Sequence, residues 1–335
     1  MIVYDGPKKP RYPLALIHPL GPLFRHLPLS LRRHLLYLRT LGRWGNFRKP
    51  KGVNEKIQWR IINDRRSIIA FCQDKLAAKE YVRVVIAKHR LEAQVKIPTT
   101  LWVGTDIREL RALKSQLPKR WVLKPNHSSG RVRVLDSSVT PIDWDNLIAA
   151  GDRWMQRDEE ELVFGHWAYS QARHLLIAEE RVGAGDVAPP GLCFKTHHGE
   201  TVHYFWLDRT RPSAPYACYW PDGTWFRWRP ESNPINEDPG DLPVLTTEVR
   251  EHLLAACRVV GAPFDDIRVD FLYDGSGAWF AELTAYSSAG LDPTSDEMDT
   301  AFGALWQLPD LTAHDPREAE WRALLEGTPK GTLQR

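Results

Sequence analysis

The segment from Ile267 to Thr284 constrains the fold of this chain more than any other stretch. Apolar and polar residues alternate on both sides of Gly275-Ser276-Gly277, a pattern that predicts two antiparallel strands joined by a tight glycine-rich turn. With a three-residue turn, Asp270 lies opposite Glu282 and Arg268 lies opposite Thr284. The other face of the hairpin is then a core face, formed by Ile267, Val269, Phe271, Tyr273, Trp279, Ala281 and Leu283.

The facing carboxylates of Asp270 and Glu282 carry an electrostatic cost, because like charges on directly opposed strand positions repel each other. A hard divalent cation that takes oxygen ligands from both strands removes that cost. Mg²⁺ is a cation of this kind, and in proteins it commonly accompanies phosphate groups. The hairpin therefore predicts a magnesium site and phosphate chemistry.

The composition is that of an ordinary globular protein of 335 residues, with 43% apolar and 26% charged residues. Its cysteines lack the spacing of a zinc site or a disulfide framework, which indicates reduced thiols and a cytoplasmic location: Cys72, Cys193, Cys218 and Cys257. No stretch approaches the roughly 20 apolar residues that a membrane span requires. We therefore expect no membrane-spanning segment.

The charge is unevenly distributed along the chain. Residues 1–51 hold eleven lysines and arginines and one acid, a net charge of +10, so the other residues carry −7 of the overall +3. A basic region of this kind suggests an anionic partner. The alternating leucines and arginines near residues 31–39 also predict an amphipathic helix docked on its own protein, and we favour that interpretation. Nucleic acid is an unlikely partner because the region has no recognition motif.

Hydrophobic periodicity predicts an α+β fold in which an antiparallel sheet carries the chemistry. Helices are predicted at residues 29–41, 54–62, 70–87, 247–260 and 317–326, the second of them with Asn54 as its N-cap. Strands are predicted at residues 98–103, 120–124, 131–135, 175–180, 192–197 and 201–207, the last two as a hairpin.

Three lysines stand in positions that suit phosphate binding. Lys75 follows Asp74 in a helix, and Lys195 lies on a predicted hairpin strand. Lys124 ends a strand, in the motif Val122-Leu123-Lys124-Pro125, and the loop Asn126-His127-Ser128-Ser129-Gly130 follows with backbone N–H groups that could surround phosphate oxygens. The chain has neither a Walker-type phosphate loop nor a dinucleotide-binding glycine motif.

Each of these features also has an ordinary structural interpretation. A lysine at a strand end usually extends into solvent, and an Asp-Lys pair on a helix is usually a solvated face. His127 in a polar loop is more often a hydrogen-bonding residue than a ligand, and Glu179 and Glu180 after an apolar strand are more often surface acids.

Taken in chain order, the motifs resemble the ATP-grasp superfamily, and within it the teichuronopeptide-biosynthesis, or TupA-like, subgroup. The resemblance extends from about residue 45 to residue 310. It depends on Val53-Asn54-Glu55-Lys56-Ile57-Gln58-Trp59, Asp74-Lys75, the stretch from Val122 to Gly130, Asp208-Arg209, Arg268-Val269-Asp270 and Glu282-Leu283-Thr284.

The resemblance implies an α+β ATP-grasp fold, in which two sheet-bearing subdomains grip ATP. It assigns residues 1–70 to a basic helical N-terminal region and residues 71–179 to a first subdomain with the phosphate loop. Residues 180–312 would form a second subdomain with the metal hairpin, and residues 313–335 a C-terminal helix and tail.

The resemblance also implies a role for each motif residue. Lys75 and Lys124 would contact the phosphates of ATP, and Glu179 or Glu180 would lie at its adenine and ribose end. The loop residues His127, Ser128, Ser129 and Gly130 would close over the phosphates. Asp270 and Glu282 would hold Mg²⁺ with Thr284 as a third oxygen ligand, and Arg268 would stabilise the transferring phosphoryl group. Arg209, Ser287 and Ser288 are candidate substrate contacts, near an acceptor face that includes the Trp-rich segment 219–228.

One departure from the subgroup concerns a lysine. Relatives carry Asp-Tyr-Lys before the hairpin turn near Gly191 to Gly199, whereas this chain has Gly191-Leu192-Cys193. Lys195 lies two residues further on, and therefore on the same strand face, where it could supply the missing charge.

The implied activity is ATP- and Mg²⁺-dependent ligation of a carboxylate to an amine through an acyl phosphate. The substrates would be small molecules or glycan-linked groups in cell-surface polysaccharide or secondary-metabolite biosynthesis. Two alternatives stay open at this point: a phosphotransferase on the same fold, and a non-catalytic nucleotide-binding module that scaffolds assembly.

Overall fold

The computed structural model describes residues 2–5, 24, 26–156, 164–183, 189–207, 216–229, 242 and 244–333. Within these ranges the chain forms two β-sheets with helices packed against them, which confirms the predicted α+β class. No helix in the described ranges is long and apolar enough to cross a membrane.

The first sheet is antiparallel throughout, and its described strands follow the order β1-β5-β4-β6-β3. These strands are β1 (Ile2–Asp5), β3 (Thr100–Gly104), β4 (Arg120–Pro125), β5 (Arg131–Asp136) and β6 (Leu176–Glu180). Helices α5 (Ile107–Ala112) and α6 (Trp144–Trp154) cover one face, and Trp121, Leu123 and Leu147 are fully buried between these layers. The opposite face of the sheet carries Lys124 and Glu179.

The second sheet is larger, with its described strands in the order β10-β9-β8-β7-β11-β12-β2. These strands are β2 (Val95–Lys96), β7 (Gly191–His197), β8 (Glu200–Leu207), β9 (Tyr216–Tyr219), β10 (Trp225–Phe226), β11 (Ile267–Tyr273) and β12 (Ala278–Thr284). Only the short β2 pairs in parallel, beside β12. The predicted hairpin 192–197/201–207 is therefore confirmed as β7–β8.

Most of the remaining helices pack on the second sheet or beside it. The described helices outside the first sheet are α1 (Leu29–Leu41), α2 (Val53–Asn63), α3 (Ser67–Gln73), α4 (Lys75–Lys88), α7 (Trp167–Gln171), α8 (Thr247–Gly261), α9 (Asp296–Leu305) and α10 (Glu318–Glu326). Helices α3, α4, α8 and α10 enclose the main apolar core with one face of the sheet.

The packing groups the chain differently from the predicted subdomain ranges. Strand β1 pairs with β5 of the first sheet, although it belongs to the predicted N-terminal region. Strand β2 and helix α4 belong to the second sheet and its core, although both lie within residues 71–179.

Two helix predictions need correction. Asn54 is not an N-cap: helix α2 begins at Val53 after Gly52, and the Asn54 side chain instead exchanges two hydrogen bonds with the Asp292 backbone. The helix predicted at 70–87 is two helices, because Asp74 adopts an extended conformation and caps α4 by accepting from the Ala77 N–H at 2.8 Å.

The hairpin turn is one residue longer than predicted. Tyr273 pairs with Ala278, so the turn contains four residues, and Asp274 accepts from the N–H groups of Ser276 and Gly277. A bulge at Ala281 compensates for the extra residue and restores the predicted pairing beyond it.

The bulge also corrects the predicted core face of β12. Ala278 and Phe280 pack in the main core, in place of the predicted Trp279 and Ala281. The reason is that an unpaired bulge residue reverses which alternate positions face inward on one side of it.

Candidate active site

Six side chains share one face of the β7–β11–β12 region. Arg268 pairs with Thr284 and Asp270 with Glu282, as predicted from the sequence. On the other side of β11, Lys195 is the register partner of Arg268 and Cys193 is that of Asp270. Because register partners in an antiparallel sheet point to the same face, the polar groups converge.

Arg268 lies between the two facing carboxylates. Its Nε and Nη2 donate to the two Asp270 oxygens at 2.7 and 2.5 Å, and Nη2 also lies 3.1 Å from Thr284 Oγ1. Glu282 Oε1 is 3.9 Å from the same Nη2. Burial lowers the pKa of Arg268, but the Asp270 charge outweighs burial and holds it well above the ordinary value. A guanidinium therefore already offsets part of the repulsion expected between these carboxylates, and the magnesium site stays a prediction.

The donor set still suits Mg²⁺. Asp270 and Glu282 supply carboxylate oxygens, and the Thr284 hydroxyl lies 3.3 Å from Asp270 Oδ2. The described residues contain no group of three or more His, Cys, Asp or Glu side chains placed to bind a metal. Mg²⁺ is usually held by one or two carboxylates with water and substrate phosphates, and this hairpin provides that number.

The first sheet presents a carboxylate held by two lysines. Lys124 at the end of β4 forms an ion pair with Glu179 of β6. Lys79 binds the other Glu179 oxygen at 3.0 Å and Thr100 Oγ1 at 2.8 Å. Burial raises the pKa of Glu179, but the Lys124 and Lys79 charges outweigh it and lower that pKa to about 2.

Lys79 was missed by the sequence reasoning. The available signal was its position one helical turn after Lys75, because residues four apart share a helix face. Both lysines extend from α4 toward the first sheet.

The predicted phosphate loop, residues 126–130, is bound to the start of α4. The Asn126 amide donates to Asp74 Oδ2 at 2.7 Å, and its Oδ1 accepts from the Leu76 N–H at 3.0 Å. Lys75 Nζ donates to the Ser128 carbonyl oxygen and, at 3.4 Å, to that of Asn126. Burial lowers the pKa of Lys75, and the nearby Glu282 charge opposes this shift. Lys75 thus lies between the loop and the hairpin.

The remaining loop residues divide into buried and exposed groups. His127 is buried, with Nε2 3.0 Å from the Trp154 carbonyl oxygen and its ring stacked on His174 at 4.0 Å. Burial, followed by the His174 charge, lowers the pKa of His127 to about 4. Ser128 is also buried, whereas Ser129 is exposed and Gly130 has a φ of +70°. The exposed end of the loop is therefore Ser129-Gly130.

Glu180, a further predicted residue, lies apart from this centre. Glu180 Oε1 accepts from the Thr99 N–H at 2.9 Å, and the Glu180 N–H donates to the Thr99 carbonyl oxygen. Arg209 lies outside the described residues.

Lys195 is anchored in a buried ionic cluster. Its Nζ lies 2.6 and 2.8 Å from the two Asp266 oxygens and 3.4 Å from Ser287 Oγ. Asp266 also binds Arg60 at 3.0 Å and lies 3.2 Å from His197 Nε2. Burial lowers the pKa of Lys195, and the Asp266 charge opposes that shift. The ammonium is therefore placed between β11 and the turn that carries Ser287.

The turn Ser287–Gly290 is supported from the N-terminal region. Ser288 and Ala289 have left-handed backbones, with φ of 47° and 53°, and the Ser288 hydroxyl donates to Asp292 Oδ2 at 3.3 Å. Arg33 of α1 and Gln58 of α2 both donate to the Ala289 carbonyl oxygen, at 2.6 and 3.0 Å. Sequence reasoning missed both supports, although Gln58 belongs to the motif that begins at Val53.

The comparisons with known proteins concern most of the chain. A family model described as TupA-like ATPgrasp matches residues 55–307. No curated protein sequence matches this chain at a significant level.

Several solved structures are similar at low identity. The ATP complex of D-alanine–D-alanine ligase from Bacillus anthracis is 14% identical with a TM-score of 0.34, over 76% of this chain and 63% of that chain. The ADP complex of purK, N5-carboxyaminoimidazole ribonucleotide synthetase, is 10% identical with a TM-score of 0.39, over 69% and 47%. The ATP-grasp ligase PsnB with minimal precursor, Mg and ADP is 12% identical with a TM-score of 0.33, over 69% and 60%. The chain thus spans less than two thirds of the length of each.

Proposed function

The chain belongs to the TupA-like ATP-grasp family, which confirms the family and fold predicted from the sequence, and on that basis we propose that it is an ATP- and Mg²⁺-dependent carboxylate–amine ligase. The observation that carries the proposal is the convergence of the phosphate-binding and metal-binding candidates. Lys75 is bound to the phosphate loop and interacts electrostatically with Glu282 of the hairpin. This convergence supports a triphosphate site between the candidate phosphate loop and the hairpin.

Asp270, Glu282 and Thr284 would hold Mg²⁺, which would neutralise phosphate charge during transfer. Lys75 and Lys124 would bind the phosphates. To reach a phosphate oxygen, Lys124 must leave Glu179, and Lys79 then remains as the partner that keeps this buried carboxylate charged. The exposed loop end, Ser129-Gly130, would cover the phosphates, and the end of β6, with Glu179 and Glu180, would face the nucleoside.

Arg268 would stabilise the phosphoryl group as it moves to the substrate carboxylate. A carboxylate oxygen attacks the γ-phosphorus, the bond to ADP breaks, and an acyl phosphate forms. An amine nitrogen then attacks the acyl carbon, loses a proton and releases phosphate. Because Asp270 and Thr284 already fix the guanidinium, little reorganisation is needed at the moment of transfer.

The acceptor would approach from the side of Lys195 and the Ser287–Gly290 turn. The Lys195 ammonium, oriented by Asp266, would attract the substrate carboxylate, and Ser287 and Ser288 would contact the amine. We assign the substrates to carboxylates and amines of cell-surface polysaccharide or secondary-metabolite biosynthesis, on the cytoplasmic side where ATP is supplied.

The test is oxygen-18 transfer. A panel of candidate carboxylates labelled with ¹⁸O is incubated with the protein, ATP, Mg²⁺ and candidate amines, and the released phosphate is analysed by mass spectrometry. Acyl-phosphate chemistry places one ¹⁸O in the phosphate. A phosphotransferase would instead retain the phosphoryl group in its product, and a scaffold would release no ADP. Glu282→Gln is the inactive control.

A further inference from the structure

Helix α1 has two apolar faces, and among the residues that the structure describes only one of them is buried against other elements. Leu36 and Tyr37 are buried against the α2 side, and Arg33 reaches through this contact to the Ser287–Gly290 turn. The predicted docking of this helix on its own protein is therefore confirmed, but it uses Leu36 alone of the leucines between residues 31 and 39.

The outer face presents an apolar stripe to solvent. Leu31, Leu35 and Leu38 follow at i, i+4 and i+7, and their exposed fractions are 39%, 36% and 42%. Trp44, just beyond the Gly42 cap, is 57% exposed while its ring stacks on His34 at 4.8 Å. We call Leu31, Leu35, Leu38 and Trp44 the α1 surface.

Cations lie beside the α1 surface in the sequence with no acid among them. In space, Arg43 pairs with Asp296 and Asp299, and Glu55 accepts from the Lys51 N–H. Arg32 and Arg39 flank the stripe, and Arg48, Lys49 and Lys51 are exposed or nearly so beyond Trp44. From residue 6 to residue 51 the sequence contains eleven lysines and arginines and no aspartate or glutamate.

We propose that the α1 surface docks on an anionic lipid bilayer. Exposed leucines beside a tryptophan and flanking arginines are the combination by which a helix lies in a bilayer interface, where the apolar side chains enter and the cations meet lipid phosphates. A soluble polyanion would bind the cations and gain nothing from the leucines. A second copy of this chain would bring the same positive charge to the contact and would be repelled.

A segment of this same chain is also disfavoured, by its charge, as the occupant of the α1 surface. The sequence of residues 6–23 holds three lysines and arginines and no acid, so it offers no charge opposite to that of the α1 surface. The inference is independent of the ligase proposal. The two are linked only in that α1 also supports the candidate acceptor turn, which would bring that turn close to the membrane.

Co-sedimentation of the full chain with vesicles tests the proposal. Vesicles of phosphatidylcholine containing about one third phosphatidylglycerol should bind the protein at least about tenfold more tightly than pure phosphatidylcholine, and added salt should weaken the binding. The triple variant Leu31→Ser/Leu35→Ser/Leu38→Ser should lose most of this binding. Replacing Arg48, Lys49 and Lys51 together by Gln should reduce binding and its salt dependence.

The matched control removes three exposed apolar side chains elsewhere. Val139, Leu305 and Leu311 are 74%, 58% and 38% exposed, and the variant Val139→Ser/Leu305→Ser/Leu311→Ser should bind vesicles as the wild type does. Melting curves verify that both triple variants fold.

Three results would overturn the proposal. The first is no binding of wild-type protein to anionic vesicles, and the second is an equal effect of the two triple variants. The third is a concentration-dependent dimer, measured by light scattering without lipid, that only the α1 triple variant abolishes; it would assign the surface to a second copy.

Discussion

Arg268 binds both oxygens of Asp270, so the residue that would stabilise a transferring phosphoryl group also shares the charge of a candidate metal ligand. The two carboxylates of the hairpin are therefore not equivalent. Asp270 is buried and paired, whereas the Glu282 side chain is 30% exposed and 3.9 Å from the guanidinium. We therefore expect substitutions of these two residues to differ in their effect on stability, although both remove activity.

The first prediction compares Asp270→Asn with Glu282→Gln. Both variants should lose Mg²⁺-dependent ATP turnover. Asp270→Asn should also lower the free energy of unfolding by about 1–3 kcal/mol, because Arg268 loses a buried charged partner. Glu282→Gln should change stability little. Denaturant melts and ADP release measure the two effects, and wild-type turnover in both variants would contradict the metal assignment.

The second prediction concerns the pair of lysines on Glu179. Lys124→Met should reduce ATP turnover strongly, since this lysine is the proposed phosphate contact. Lys79→Met should instead raise the KM for ATP and leave kcat nearer the wild-type value, because Lys79 acts through Glu179. Lys79→Arg keeps the charge and should restore the KM. Equal loss of kcat in the two Met variants would contradict this division.

The third prediction follows from the depressed pKa of Glu179. Its folded pKa of about 2 lies below the unfolded value of 4.5, so its stabilising effect is complete above pH 4.5 and is lost as the pH falls toward 2. The full effect is on the order of 2–3 kcal/mol. The stability of Glu179→Gln should therefore fall less steeply than that of the wild type between pH 5 and pH 3, by denaturant melts in that range. Parallel slopes would show that Glu179 is not held by the lysines.

At the scale of elements, the β11–β12 hairpin shows which features could be predicted from the sequence and which could not. Alternation predicted β11 and β12 and the pairing of Asp270 with Glu282, because those side chains must share one face. The turn length and the bulge were not predictable, since a four-residue turn with a bulge and a three-residue turn without one give the same pairing at the site.

The N-terminus of α4 was misjudged for a related reason. Asp74 interrupts the predicted helix because its carboxylate accepts hydrogen bonds from Ala77, Asn126 and Arg173 at once. Two of these partners are distant in sequence, and tertiary contacts of that kind leave no periodic signal. Asn126, at the start of the predicted phosphate loop, is therefore held against the N-terminus of α4.

The fourth prediction locates the mobile end of that loop. Asn126, His127 and Ser128 are buried and bound, so only the bond region from Ser129 to Arg131 should be accessible to protease. A protease of broad specificity such as proteinase K should cut between Ser129 and Arg131 in the nucleotide-free protein, and an ATP analogue with Mg²⁺ should suppress the cut. Mass spectrometry of the fragments identifies the site, and Lys75→Met is the control in which suppression should weaken. Cleavage that the analogue does not change would argue against a phosphate cover.

At the scale of the whole molecule, the sequence predicted the two-sheet class, but not the contacts by which the N- and C-terminal segments pack on the rest of the protein. Strand β1 extends the first sheet, α1 supports the Ser287–Gly290 turn of the second, and α10 packs Trp321 on Phe71. These contacts join residues more than a hundred positions apart. The amphipathic pattern of a single helix predicts that its apolar face is buried, but not which element it packs against.

The fifth prediction concerns the C-terminal segment after Gly327, which runs from the second core to the first sheet. The N–H groups of Thr332 and Leu333 donate to the carbonyl oxygens of Thr100 and Leu101, at 3.1 and 2.9 Å, on the edge strand β3. Removing residues 328–335 should cost the first sheet about 1–3 kcal/mol and loosen Thr100, the second anchor of Lys79. Hydrogen exchange should therefore quicken in β3 but not in β11 and β12, and the KM for ATP should rise.

Thr332→Pro separates the hydrogen bond from the rest of the segment. It removes one N–H donor while the Leu333 side chain remains available to the first core. The variant should accelerate exchange in β3 by less than the truncation does, and Leu333→Ala should give the complementary part. Unchanged exchange in β3 after truncation would mean that the edge of the first sheet is held by its own packing. The C-terminal segment would then not determine the geometry of the Lys79–Glu179 contact. If β3 keeps its protection from hydrogen exchange without this segment, Thr100 also stays in place.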